Sequence, residues 1–85
     1  MDLPKWYAIA ITDEDGDDCY YKRYADGSES FVMPWQFPNT YKTEAAAKRQ
    51  MNRIRRYLVP EYLETLRIAT HPGWHIEQLR RARSR

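Results

Sequence analysis

Apolar and polar residues alternate from Trp6 to Thr12, with Tyr7, Ile9 and Ile11 on one side and Trp6, Ala8, Ala10 and Thr12 on the other. A period of two in aromatic and β-branched residues marks a strand. Asp13–Asp18 then places five acids around one glycine, a turn composition. Cys19–Tyr24 alternates again, Cys19 and Tyr21 opposite Tyr20 and Tyr24, and pairs with the first strand as a hairpin. Asp26-Gly27 predicts a two-residue turn with positive φ at both central positions. Ser28–Met33 makes a third strand, with Phe31 and Met33 on one face, and Pro34 ends it because proline cannot donate to a ladder.

The period changes after the stiff loop Pro34-Trp35-Gln36-Phe37-Pro38. Thr43 reads as a helix N-cap, with Glu44 in the first turn where the helix dipole favours a negative charge. A helix is expected from Glu44 to Leu58, nucleated by Ala45, Ala46 and Ala47. Ala47, Met51, Ile54 and Leu58 form one stripe at 100° per residue, which packs on the sheet. Arg49, Arg53 and Arg56 fall opposite, and Lys48 follows Glu44 at the spacing of a helical ion pair. Pro60 stops the helix and opens one turn over Pro60–Glu64; Thr65–Thr70 alternates as a fourth strand. His71-Pro72-Gly73 reads as a turn, and Ile76, Leu79 and Ala82 carry the spacing of a short terminal helix.

The order β-β-β-α-β defines an α+β fold: a two-layer sandwich, with an antiparallel sheet of about four strands, one long helix packed on it and a short C-terminal helix. Residues 1–85 make a single domain, with 82–85 as a frayed basic tail. Aromatics at 14% supply a core. No run approaches the ~20 apolar residues of a membrane span, so no membrane partner is expected. One cysteine, Cys19, excludes an intrachain disulfide and a cysteine-based zinc finger. The first residues lack the regions of a signal peptide, which points to the cytoplasm.

Charge divides the chain. Residues 1–30 carry eight acids and three bases; residues 31–85 carry four acids and eleven bases. The formal net charge of +2 is therefore the sum of two opposed halves. Such asymmetry points to charged partners, or to halves that attract each other within the fold or across a homodimer.

The acidic turn Asp13, Glu14, Asp15, Asp17 and Asp18 lacks the pattern of a calcium loop: glycine is fourth rather than sixth, and Tyr24 stands where a bidentate Glu is needed. It reads as a solvated hairpin able to face a cationic partner. His71 and His75 are separated by Pro72-Gly73, which removes the meaning of their helical spacing, so no metal or cofactor is expected. Cys19 has no basic neighbour in sequence, no serine sits in a nucleophile motif, and there is no glycine-rich phosphate loop; an enzyme is not expected. The aromatic loop offers Trp35 and Phe37 as anchors for a protein partner, or as a lid on the core. Arg49, Arg53 and Arg56, with Arg80, Arg81, Arg83 and Arg85, form a basic face suited to phosphates or to an acidic protein surface.

The alternating strand at Trp6–Thr12, the acidic turn, and Tyr41-Lys42-Thr43-Glu44-Ala45-Ala46-Ala47 opening a helix resemble short accessory proteins of phages and mobile elements, among them anti-CRISPR inhibitors. The order is also similar to the arm-binding domains of phage integrases, from which the acidic turn departs, since those read DNA with a basic sheet. The first resemblance implies a non-enzymatic inhibitor that binds a protein or nucleoprotein complex. The basic face keeps nucleic-acid binding as the alternative.

Overall fold

The computed structural model describes residues 6–71. Four strands, β1 (Trp6–Thr12), β2 (Asp18–Arg23), β3 (Glu29–Val32) and β4 (Arg67–His71), form one antiparallel sheet in the order β3-β2-β1-β4. A long helix, α1 (Glu44–Ile54), and a single turn, α2 (Pro60–Leu63), lie between β3 and β4 in the chain. The α+β fold and the β-β-β-α-β order are those the hydrophobic pattern predicts. The expected C-terminal helix, the His75 site and the tail 82–85 lie outside the described residues. His71 is the last residue of β4 rather than part of a turn.

Both hairpins close in the same way. In the first, the Asp13 amide donates to Asp17 O at 2.9 Å and the Gly16 amide to Asp13 O at 3.1 Å. In the second, the Tyr24 amide donates to Ser28 O at 2.8 Å and the Gly27 amide to Tyr24 O at 3.0 Å. Only Gly16 (φ 83°) and Gly27 (φ 91°) take positive φ in these loops. Each is thus a three-residue loop ending in a glycine bulge, not the two-residue turn that Asp26-Gly27 suggests. The extra residue is held by a carboxylate: Asp13 Oδ1 accepts from the Asp15 and Asp17 amides at 3.0 and 2.8 Å, and Asp26 Oδ1 from the Ser28 amide and hydroxyl at 2.9 and 2.7 Å.

β1 and β2 splay apart beyond Ala10 and Tyr20, where their pairing stops. Residues 39–41 fill the gap. The Asn39 amide donates to Tyr21 O, the Asn39 side-chain oxygen accepts from the Arg23 amide, and Tyr41 exchanges both backbone bonds with Tyr7 at 2.8 Å. The path to this wedge is set by a turn of 3-10 helix over Pro34–Gln36 and by Phe37 at φ 57°.

α1 begins as expected, with Thr43 Oγ1 accepting from the Ala46 amide at 3.1 Å. It ends at Ile54, and the chain turns through residues 55–57 before α2. Of its stripe, Ala47 and Ile54 are fully buried, while Met51 and Leu58 pack on the core at its rim. That core centres on Ile9, Tyr21 and Ile54, with Phe31, Tyr41 and Leu66 around it. The other face of the sheet carries Ala8, Ala10 and Val32, all buried, with Ala10 set between Tyr20 and Arg67 in register. No helix among the described residues is long and apolar enough to cross a membrane.

Candidate functional site

β3 is an edge strand, and the segment joining α1 to α2 passes over its inner face. Between them lies a partly open cleft of about 210 Å³. Phe31, Ile54, Leu58, Val59 and Tyr62 give it apolar walls, and Tyr21, Glu29, Ser30 and Tyr57 complete the lining. The floor is a run of rings: Tyr21 meets Phe31 edge-on at 6.1 Å between centroids, and Phe31 meets Tyr62 at 5.9 Å. Alternation puts Tyr21, Glu29 and Phe31 on one side of the sheet, and the early end of α1 brings Tyr57, Leu58 and Val59 above them.

One rim of the cleft is polar and saturated. The Glu29 carboxylate accepts from the Tyr57 hydroxyl and from Arg53 Nη2 at 3.0 Å. Arg53 Nη2 also donates to the Tyr21 hydroxyl at 3.2 Å, and the Gln50 amide bridges the Tyr21 hydroxyl and the Arg53 guanidinium. The Tyr57 bond, with Tyr21 and Arg53 behind it, holds the Glu29 carboxyl below its ordinary value. Burial, reinforced by Glu29, pushes the Tyr57 phenol up to about 12. Burial likewise raises Tyr21. At neutral pH Glu29 is therefore charged and both phenols are protonated. No member of the cluster is poised to exchange a proton with a substrate near pH 7.

The acidic hairpin does not present its five acids equally. Asp13 is committed to its own loop and also accepts from Cys19 Sγ at 3.6 Å. Asp18 pairs with Arg67 of β4, Nη2 to Oδ1 at 2.7 Å. Glu14, Asp15 and Asp17 remain as an exposed acidic tip. The carboxylates of Asp13, Asp15 and Asp17 lie within 4.8 Å of one another. Cys19 is buried, and burial with the Asp13 bond raises its thiol above the ordinary value, so it behaves as a small apolar residue with a weak donor.

In the aromatic loop Trp35 is 60% exposed, while Phe37 is half-buried. Trp35 is thus the accessible ring of the loop. The basic face divides. Arg49 and Arg56 are exposed, but Arg53 turns toward β3 to hold Glu29. Arg80, Arg81, Arg83 and Arg85 lie outside the described residues. Lys48 pairs with Glu44 at 3.5 Å, as their spacing predicts.

The cluster of Tyr21, Glu29, Arg53 and Tyr57 is not visible as a motif, because its members come from β2, β3, α1 and the turn after it. The one local signal is the four-residue spacing of Arg53 and Tyr57, which places both on one side of a helix. Comparison of the chain with protein-family models, with curated proteins and with solved structures finds no match.

Proposed function

We propose that this protein is a non-enzymatic module that acts by binding a protein partner through the β3 cleft and its rim. One observation carries the reading: the apolar cleft opens beside exposed Tyr57 and Val59, 56% and 48% accessible, while the polar groups at its edge satisfy one another. A catalytic cleft needs a group left free to react. A recognition cleft needs apolar surface that is costly to keep in water and a rigid frame around it. Exposed Trp35 adds a second aromatic anchor.

The narrower reading is an inhibitor of phage type that captures a nucleoprotein complex, with the acidic hairpin standing in for nucleic acid. It is supported by the tip of Glu14, Asp15 and Asp17, which projects unpaired by any ion pair among the described residues. The nucleic-acid alternative draws on Arg49 and Arg56 but loses Arg53 to Glu29.

Site-specific photo-crosslinking tests the reading. A benzophenone side chain is placed separately at Val59, Trp35, Asp15 and Arg49, and the protein is irradiated in the lysate of its native cell. Protein adducts from Val59 or Trp35 support it. Adducts only to nucleic acid, formed from Arg49, overturn it in favour of the alternative. Adducts from Asp15 to a nucleic-acid-binding protein support the inhibitor.

A further inference from the structure

We infer that the partner binds as an extended segment that adds to the sheet as a fifth strand along β3 and drops one large apolar side chain into the cleft. This rests on the protein-binding reading above and specifies what is bound. The first support is the direction of the β3 backbone. Tyr21 O and the Arg23 amide both turn away from β3 to meet Asn39. Their register partners are Phe31 and Glu29. In an antiparallel ladder, residues opposite one another in such a pair both turn their N–H and C=O groups outward. Glu29 and Phe31 therefore present two donors and two acceptors on the free edge. Among the described residues, only the Ser30 hydroxyl touches any of them, at 3.5 Å from Phe31 O. Another extended backbone is the natural complement to that spacing.

The second support is the cleft directly inside this edge. Side chains of an added strand alternate between the two faces of the sheet, so one residue in two would point over Phe31 toward Leu58 and Val59. A dry apolar cavity of about 150 Å³ holds a benzene ring. The present volume of about 210 Å³ thus suits one leucine- or phenylalanine-sized side chain.

A second copy of the chain fits less well. Its β3 would bring Glu29 and Phe31 to the cleft, and both side chains are already packed or bonded within their own molecule.

The test uses a phage library of random decapeptides selected on the intact protein, with counter-selection on Val59→Glu, whose exposed site tolerates the change. Selected peptides are synthesised and titrated into ¹⁵N-labelled protein. The inference expects enriched sequences with one large apolar residue and no proline at the positions whose nitrogens face β3. It also expects protection from exchange at the Glu29 and Phe31 amides, and at least tenfold weaker binding to Val59→Glu. N-methylation of the peptide nitrogen facing β3 should weaken binding at least tenfold as well. Peptides that shift only the Trp35 loop or the acidic hairpin overturn strand addition and leave the protein-binding reading standing. Concentration-dependent protection of the same amides without peptide overturns it in favour of a homodimer. No enrichment over Val59→Glu overturns it outright, while the crosslinking result decides the broader reading separately.

Discussion

Replacing Ile54 by alanine measures how firmly α1 is fixed to the sheet. Ile54 is the last residue of the helix, has no accessible surface, and packs with Ile9 and Tyr21 at the centre of the core. The substitution removes three carbons. At about 0.8 kcal/mol for each buried carbon, the transfer loss is about 2.4 kcal/mol. An enclosed site adds a cavity penalty, which carries isoleucine-to-alanine changes toward about 5 kcal/mol. Here Ile54 also lines the cleft, which opens to solvent, so water can occupy the vacated space and most of that penalty is avoided. The expected loss is therefore about 2–3 kcal/mol, and for Ile54→Val about 1 kcal/mol. In a domain of this size that lowers Tm by roughly 10–20 °C for the alanine variant. Urea denaturation followed by tryptophan fluorescence gives both values on one scale. A loss below about 1 kcal/mol for Ile54→Ala would refute the placement of this residue in the core. A loss above about 4 kcal/mol would refute the open cleft beside it.

Two further perturbations separate the rim of the cleft from the loops. Glu29→Gln should lower stability at neutral pH by about 1 kcal/mol, the scale of a partly exposed charged hydrogen bond. Because the folded carboxyl titrates below its ordinary value of 4.5, this stabilisation is present above that value and is lost as pH falls through the folded one. The stability difference between the two proteins should therefore shrink as pH falls below 4.5; a difference that stays constant across the acid limb would refute the linkage. Gly27→Ala should cost about 1–2 kcal/mol from the left-handed backbone alone, since φ is 91° and no atom lies within 4 Å of the added carbon. An unchanged urea midpoint would show that the loop adopts another turn.

The residues that align most closely with their elements are those whose periodicity is strong and local. β1 runs from Trp6 to Thr12, as the alternation indicates, and Thr43 caps α1 through the expected amide. The second hairpin shows a different limit. Asp-Gly marks both the two-residue turn and the glycine-bulge loop, and the pair alone does not choose between them; here the Ser28 amide and hydroxyl donate to the Asp26 carboxylate and accompany the bulge. The wedge at residues 39–41 carries no alternation, because it pairs with β1 on one side and β2 on the other for a residue each. Arg53 reads as solvent-facing from the helical wheel, yet a long side chain leaving a helix near its end can reach sideways to the sheet, as it does to Glu29. The cleft itself follows from where α1 stops. Leucine at 58 continues the apolar stripe, but three residues earlier the chain has already left the helix.

The central strand has a consequence for how the molecule is made. β1 pairs with β2 across a short loop and with β4 near the far end of the described chain. At roughly 5–20 residues per second of synthesis, some 3–11 s separate the emergence of Thr12 from that of Arg67. During that interval the two hairpins can form, but β1 keeps an open side and Ile9 waits for α1. A nascent chain stalled before Arg67 thus holds β1 to β3 and α1 but lacks β4, and both β1 and β3 are then edges of the sheet. The seconds between those two strands are when a chaperone, or another copy, would find this protein most receptive.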